Sequence, residues 1–100
     1  MSKLKQVAAS MRQTLAGSQA RFVHCRLQRG LEVVLERREE RLRLALGRMD
    51  APPSDVEIEL CQQAFAAPPD CDVRRLVKWR NGKGGPVTYH VAELTWREVI

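Results

Sequence analysis

Three cysteines, Cys25, Cys61 and Cys71, and two histidines, His24 and His90, are the side chains in this 100-residue sequence best suited to nucleophilic or metal chemistry. A cysteine nucleophile needs a basic histidine within reach. His24 and Cys25 are neighbours in sequence, and on a strand neighbours point to opposite faces. Cys61 falls on the inward side of a predicted helix, where a free cysteine packs as a small apolar residue. Cys71 and His90 are joined by no local pattern. For a metal, the gaps match neither paired CxxC nor HxxxH. The expectation is therefore no catalytic residue, no metal site, no cofactor and no enzymatic activity. The odd cysteine count also argues against a disulfide framework and suits a cytoplasmic location.

Two other stretches invite a chemical reading. Asn81-Gly82-Lys83-Gly84-Gly85 is glycine-rich with a lysine. A phosphate-binding loop requires GxxxxGK[ST] between a strand and a helix, whereas here strands flank the stretch. It reads as a hairpin tip. Beside it, Arg74, Lys78 and Arg80 alternate along one predicted strand and Lys83 sits at the tip. These four residues are the candidates for contact with DNA or RNA phosphates, with the hairpin inserted as a wing.

Net charge is +5, and arginine outnumbers lysine thirteen to four, a bias that a GC-rich coding sequence supplies without functional demand. The charge is segregated: +7 over residues 1–48, −6 over 49–72 and +4 over 73–100. Such a pattern fits internal complementarity as well as it fits a polyanionic partner. No apolar run approaches the ~18 residues of a membrane span. The basic start is followed by no signal-peptide core.

The elements that must position these residues follow from periodicity. One hundred residues suit a single α+β domain over 1–100. Leu4, Val7, Ala8, Met11 and Leu15 have helical spacing, which predicts an amphipathic helix over 2–16 with Ser2 as N-cap and Gly17 past its end. Apolar residues then alternate in three runs: Val23, Cys25, Leu27; Leu31, Val33, Leu35; Leu42, Leu44, Leu46. This is the period of strands with one buried face, and it predicts an antiparallel three-stranded meander.

Register in the first hairpin is set by pairing Leu27 with Leu31 around Gln28-Arg29-Gly30, a three-residue loop with glycine last. Cys25 then faces Val33, Val23 faces Leu35, and Arg26 lies opposite Glu32 on the outer face. In the second hairpin, Leu35 opposite Leu42 sets Glu36 against Arg41 around a loop of 37–40, and leaves Arg43 and Val34 without charge partners. Asp50-Ala-Pro-Pro-Ser54 ends the meander, because proline cannot continue a central strand. Ser54-Asp55-Val56-Glu57 is a capping-box pattern, which predicts a second helix over 55–66 with Ile58, Cys61, Ala64 and Phe65 inward.

Residues 73–91 read as a last hairpin. Pairing Trp79 with Val87 places Val73, Val77 and Trp79 on a buried face with Val87, Tyr89 and Val91. Arg74, Lys78 and Arg80 then share the opposite face with Thr88 and His90. The later parity of Ala92, Leu94 and Trp96 calls for a bulge near Glu93 or a terminal turn.

The resulting order is helix, three-stranded antiparallel meander, helix, C-terminal β-hairpin, with the helices on one face of a mostly antiparallel sheet. Its first five elements are similar in order to double-stranded-RNA-binding domains. That family presents a basic start of the second helix to phosphates, where this chain has Ser54-Asp55-Val56-Glu57. The full order is similar to that of small dimeric secretion chaperones, which add a last helix and tend to be acidic. Neither likeness carries a motif, and fold alone does not fix function.

The leading expectation is a small non-enzymatic protein-interaction or accessory module, partnered by another protein or by a second copy as a homodimer. Its candidate surfaces are the polar sheet face around Phe22, His24, Val34 and Arg43, or an exposed edge strand. The alternative is a nucleic-acid-binding protein using Arg74, Lys78, Arg80 and Lys83. No membrane role is expected.

Overall fold

Alternating apolar residues, two proline-marked breaks and one capping box specify the architecture of the chain. A computed structural model describes residues 3–17, 21–49 and 51–97. The elements are α1 (Lys3–Gly17), β1 (Phe22–Arg26), β2 (Glu32–Arg38), β3 (Arg41–Arg48), α2 (Asp55–Ala64), β4 (Asp72–Gly82) and β5 (Gly85–Arg97). The strands form one five-stranded sheet in the order β1-β2-β3-β5-β4, and each neighbouring pair is antiparallel. This is the predicted α+β order. The N-cap expected at Ser2 lies outside the described residues. Among those residues no helix is long and apolar enough to cross a membrane.

Both helices pack on the inner face of the sheet. Ala8, Met11 and Leu15 of α1, and Ile58 and Cys61 of α2 with Phe65 just past its end, meet Leu31, Val33 and Leu35 from β2 and its approach, Leu44 and Leu46 of β3, and Ala92 and Leu94 of β5. Leu15, Leu35, Leu44, Leu46 and Leu94 are essentially sealed from solvent. Each such side chain contributes about 1.5–3 kcal/mol by burial.

The capping box predicted for α2 is formed. Ser54 Oγ accepts from Glu57 N–H at 3.1 Å, and Glu57 Oε1 accepts from Ser54 N–H at 2.9 Å. The Glu57 carboxylate also receives a bidentate pair from Arg48. Arg48 Nε in turn donates to the Arg29 carbonyl at 3.0 Å. One guanidinium thus joins the end of β3, the start of α2 and the first hairpin loop. The Arg48 hydrogen bonds hold the Glu57 carboxyl down at about 2 against the smaller opposing effect of burial.

The first hairpin has the expected register, from Phe22 opposite Glu36 to Arg26 opposite Glu32. Leu27 N–H donates to the Leu31 carbonyl at 2.7 Å across the loop. Both Arg29 (φ 59) and Gly30 (φ 70) are left-handed there, where the sequence demanded it of glycine alone. The second hairpin differs by two positions. Its turn is the tight pair Glu39-Glu40, so Leu35 faces Leu44, Glu36 faces Arg43 and Arg38 faces Arg41. A slip of two keeps every side chain on its predicted face but changes its neighbour.

The last hairpin differs by one position, with larger effect. Gly82 pairs with Gly85 around a two-residue turn at Lys83-Gly84, and Trp79 lies opposite Thr88. This exchanges the faces predicted for β4 relative to β5. Trp79, expected to be buried with Tyr89, is 72% exposed, while Tyr89 is buried on the other face. Arg74, Lys78 and Arg80 share their face with Glu93, Tyr89 and Val87, not with Thr88 and His90. No bulge is needed near Glu93, because pairing stays in register from Arg48–His90 to Arg41–Arg97. The change of apolar parity along β5 has a simpler cause: the strand is buried on both faces, by Tyr89 and Val91 outward and by Ala92 and Leu94 inward.

Candidate interaction surfaces

The outer face of the sheet carries no helix yet has a small core of its own. Ala45, Tyr89 and Val91 are buried there, with Val34 and Leu76 packed against them. Tyr89 makes this possible by lying down across the sheet. Its ring crosses β3 over Gly47, where an added Cβ would stand 2.1 Å from Tyr89 Oη. The hydroxyl donates to Glu32 Oε2 on β2 at 3.0 Å. The Arg80 guanidinium stacks on the ring from the solvent side, 3.9 Å from its centroid. Arg26 and His24 approach the same carboxylate at 3.4 and 3.7 Å. Burial opposes ionisation of Glu32, but the Tyr89 hydroxyl, the charges of Arg80 and His24 and the Arg26 hydrogen bond outweigh it and hold its carboxyl below the ordinary value. Burial and the bond to Glu32 push the Tyr89 phenol up.

A second polar anchor lies on the same face. Arg43 donates both Nε and Nη2 to Glu93, at 3.0 and 2.8 Å. This corrects the expectation that Arg43 lacks a charge partner. The bidentate bond raises the Arg43 pKa and lowers that of Glu93, with burial opposing each shift.

These contacts change how the candidate residues stand. Phe22, His24, Val34 and Arg43 all lie on the outer face. Val34 packs into the Tyr89 cluster and Arg43 is held by Glu93, so Phe22, 58% exposed, and His24 are the parts still presented to solvent. The basic row on β4 is also outward and exposed. Glu93 lies opposite Arg74, so an acidic residue faces this row where the sequence placed only Thr88 and His90. Arg80 is committed to the Tyr89 ring, and Lys83 sits in the turn.

The other face of β4 was missed as a surface. Val73, Val77 and Trp79 alternate along it at 47, 59 and 72% exposure. They stand on the helix-bearing side but are not sealed by the helices. Beyond His90, β5 pairs only with β4, so Lys78–Gly82 and Gly85–Tyr89 form a two-stranded arm. Among the described residues β4 is also an edge strand, with β5 as its one neighbour. On α2, Val56 and Leu60 are 65 and 51% exposed, one turn apart. Arg75 ties the two elements together by an ion pair to Asp55 and a 3.4 Å bond to the Pro53 carbonyl. The sequence signal for this surface was Leu76, the one apolar residue of β4 out of step with Val73, Val77 and Trp79.

The cysteines contribute to packing. Burial pushes the Cys61 thiol up to about 11, so it is protonated at neutral pH. Burial, with Asp70 and Asp72, also raises Cys71. All three are free thiols. Among the described residues no three His, Cys, Asp or Glu side chains converge to hold a metal ion. No family model matches this chain, and no curated protein or solved structure matches it.

Proposed function

We propose that the chain is a small non-enzymatic interaction module that pairs with a second copy of itself through β4 and the adjoining side of α2. The observation that carries this reading is the exposed row Val73, Val77 and Trp79 on a free edge strand. Sheet edges are normally short, covered or apolar-poor, because an open apolar edge recruits another chain. This one runs eleven residues and bears an exposed tryptophan. Arg75 and Asp55 on this side are already paired within the chain, so what β4 and α2 leave open is mainly apolar: Val73, Val77 and Trp79 beside Val56 and Leu60. A two-fold pair joins such a patch to its own copy, apolar row against apolar row.

Sedimentation equilibrium tests this. The expected result is a dimer at micromolar concentration that Trp79→Ser converts to a monomer with an unchanged circular dichroism spectrum. A wild-type monomer at 100-fold higher concentration refutes self-association, and a defined partner recovered from the native cytosol would then redirect the reading to another protein. A second reading, nucleic-acid binding, draws support from the exposure of Arg74, Lys78, Arg80 and Lys83 along one ribbon. It requires affinity for DNA or RNA that falls steeply with salt, with a slope flattened by Arg74→Ala plus Arg80→Ala. Absence of binding to single and double strands at low salt ends it.

A further inference from the structure

At the end of the sheet opposite the β4–β5 arm, three arginines stand side by side on the outer face. Arg38 of β2 lies directly across from Arg41 of β3, and Arg41 lies directly across from Arg97 of β5. Like charges placed opposite each other on adjacent strands are destabilising, and the places where a sequence breaks such a local rule tend to be functional sites. The flanking pair is partly satisfied: Arg38 Nε lies 2.8 Å from Glu36 Oε1, and Arg97 Nη2 donates to Glu40 Oε2 at 2.8 Å. Arg41, between them, has no ion-pair partner among the described residues.

Arg97 lies beside Glu39 and Glu40 at a neighbouring hollow, while Arg38 and Arg41 line one of about 830 Å³ with Arg21, Arg43, Glu36 and Thr95 among others. Around it arginines outnumber carboxylates five to two. A volume of this order is that of a small-ligand site, and the guanidinium fork matches phosphate oxygens in two-point contact. Stems on neighbouring strands rise about 4.8 Å apart. A single phosphate therefore meets one or two of them, whereas a linear chain of phosphates can lie along all three.

We infer that this hollow is a binding site for a linear polyphosphate, of the kind carried by a nucleoside triphosphate or by inorganic tripolyphosphate, with Arg41 as its central contact. The inference is independent of the self-association proposed above, because the hollow is lined by the outer face of β2, β3 and β5 and the residues flanking them, whereas that contact uses β4 and α2.

Isothermal titration with tripolyphosphate and, separately, with a nucleoside triphosphate tests it, each against sodium chloride and citrate at matched ionic strength. Tripolyphosphate is expected to bind more tightly than citrate, and Arg41→Gln or Arg38→Gln to weaken it at least tenfold, while Arg12→Gln on α1, across the sheet, leaves it within twofold. Tighter binding of the nucleoside triphosphate identifies a nucleotide, and equal binding identifies the phosphate chain alone. Because Arg41 is exposed and faces two like charges, Arg41→Gln without ligand should unfold at the same or a higher urea concentration than wild type. Binding no stronger than citrate, equal weakening by Arg12→Gln, or a lower unfolding midpoint in unliganded Arg41→Gln each overturns the inference.

Discussion

Replacing Gly47 by alanine should destabilise the protein, although alanine is the better strand residue. The reason is Tyr89. An alanine Cβ at position 47 would lie 2.1, 2.4 and 2.6 Å from three atoms of the tyrosine, its hydroxyl oxygen and two ring carbons. No rotation of a methyl group relieves this, so the ring must leave. Three contributions go with it. The hydrogen bond to the Glu32 carboxylate is of the charged kind, worth about 1.5–3 kcal/mol. The stacked Arg80 adds about 0.5–1 kcal/mol at an exposed site. Ala45 and Val91 also lose part of their cover.

Against these stands a gain of about 0.5–1 kcal/mol from removing glycine inside a strand. The net expectation is a loss of about 1–3.5 kcal/mol in wild type, before the lost cover of Ala45 and Val91 is added. In a Tyr89→Val background the ring is absent, and only the backbone gain remains, so the same substitution should now stabilise by about 0.5–1 kcal/mol. Urea unfolding of the four proteins, followed by circular dichroism and by tryptophan fluorescence, measures both steps of this cycle. Loss of the same size in both backgrounds, or stabilisation in wild type, refutes the account of Tyr89 as a strap over Gly47.

Acid should loosen the joint between β3 and α2. Glu57 is held at about 2 against an ordinary 4.5. A depressed carboxyl contributes stability above its unfolded value and loses it as pH falls, so the contribution, about 3 kcal/mol at most, should fade between pH 4.5 and 2. Subtracting the unfolding free energies of Glu57→Gln from wild type across that window isolates it, and a difference flat with pH contradicts it. Truncating Leu44 or Leu46 to alanine should cost about 2–5 kcal/mol in the same assay, since both are sealed between sheet and helices. Cys61 should resist a thiol reagent under native conditions while the half-exposed Cys25 and Cys71 react, as mass spectrometry of the labelled protein would reveal.

How legible each hairpin was depends on how far its turn and its apolar pattern constrain register together. In the first, Gly30 and the alternation Val23, Cys25, Leu27 against Leu31, Val33, Leu35 agree on one pairing, and the structure has it. In the second, the pattern fixes the face but Arg37–Glu40 offers no turn residue, so register moved by two and the face survived. In the third, both constraints fail. Gly82, Gly84 and Gly85 allow several turns, and apolar residues occupy both parities of β4 and of β5. A slip of one then exposed Trp79 and buried Tyr89. Gly47 was the available clue, since a glycine inside a strand often marks something lying close above it. The Arg43–Glu93 anchor, 50 residues apart in sequence, and the Arg38–Arg41–Arg97 row, which needs β3 beside β5, had no local signature.

The seam between β3 and β5 has a consequence for how the chain reaches this state. β1, β2 and β3 are joined by short turns, as are β4 and β5, so each group can zip from its own turns within microseconds. The β3–β5 pairing joins residues 42 to 56 positions apart, from Arg48–His90 to Arg41–Arg97, and must wait for α2 and its flanking loops to close the gap. The innermost packing, Leu44 beside Leu94 and Leu46 beside Ala92, straddles that line. Two locally built halves therefore share an interior only when this seam and the helix packing that covers it are closed together. Truncations at Leu44 and Leu94 should accordingly slow folding more than equally destabilising changes at Leu31 or Val23, a ratio that folding and unfolding rates measure directly.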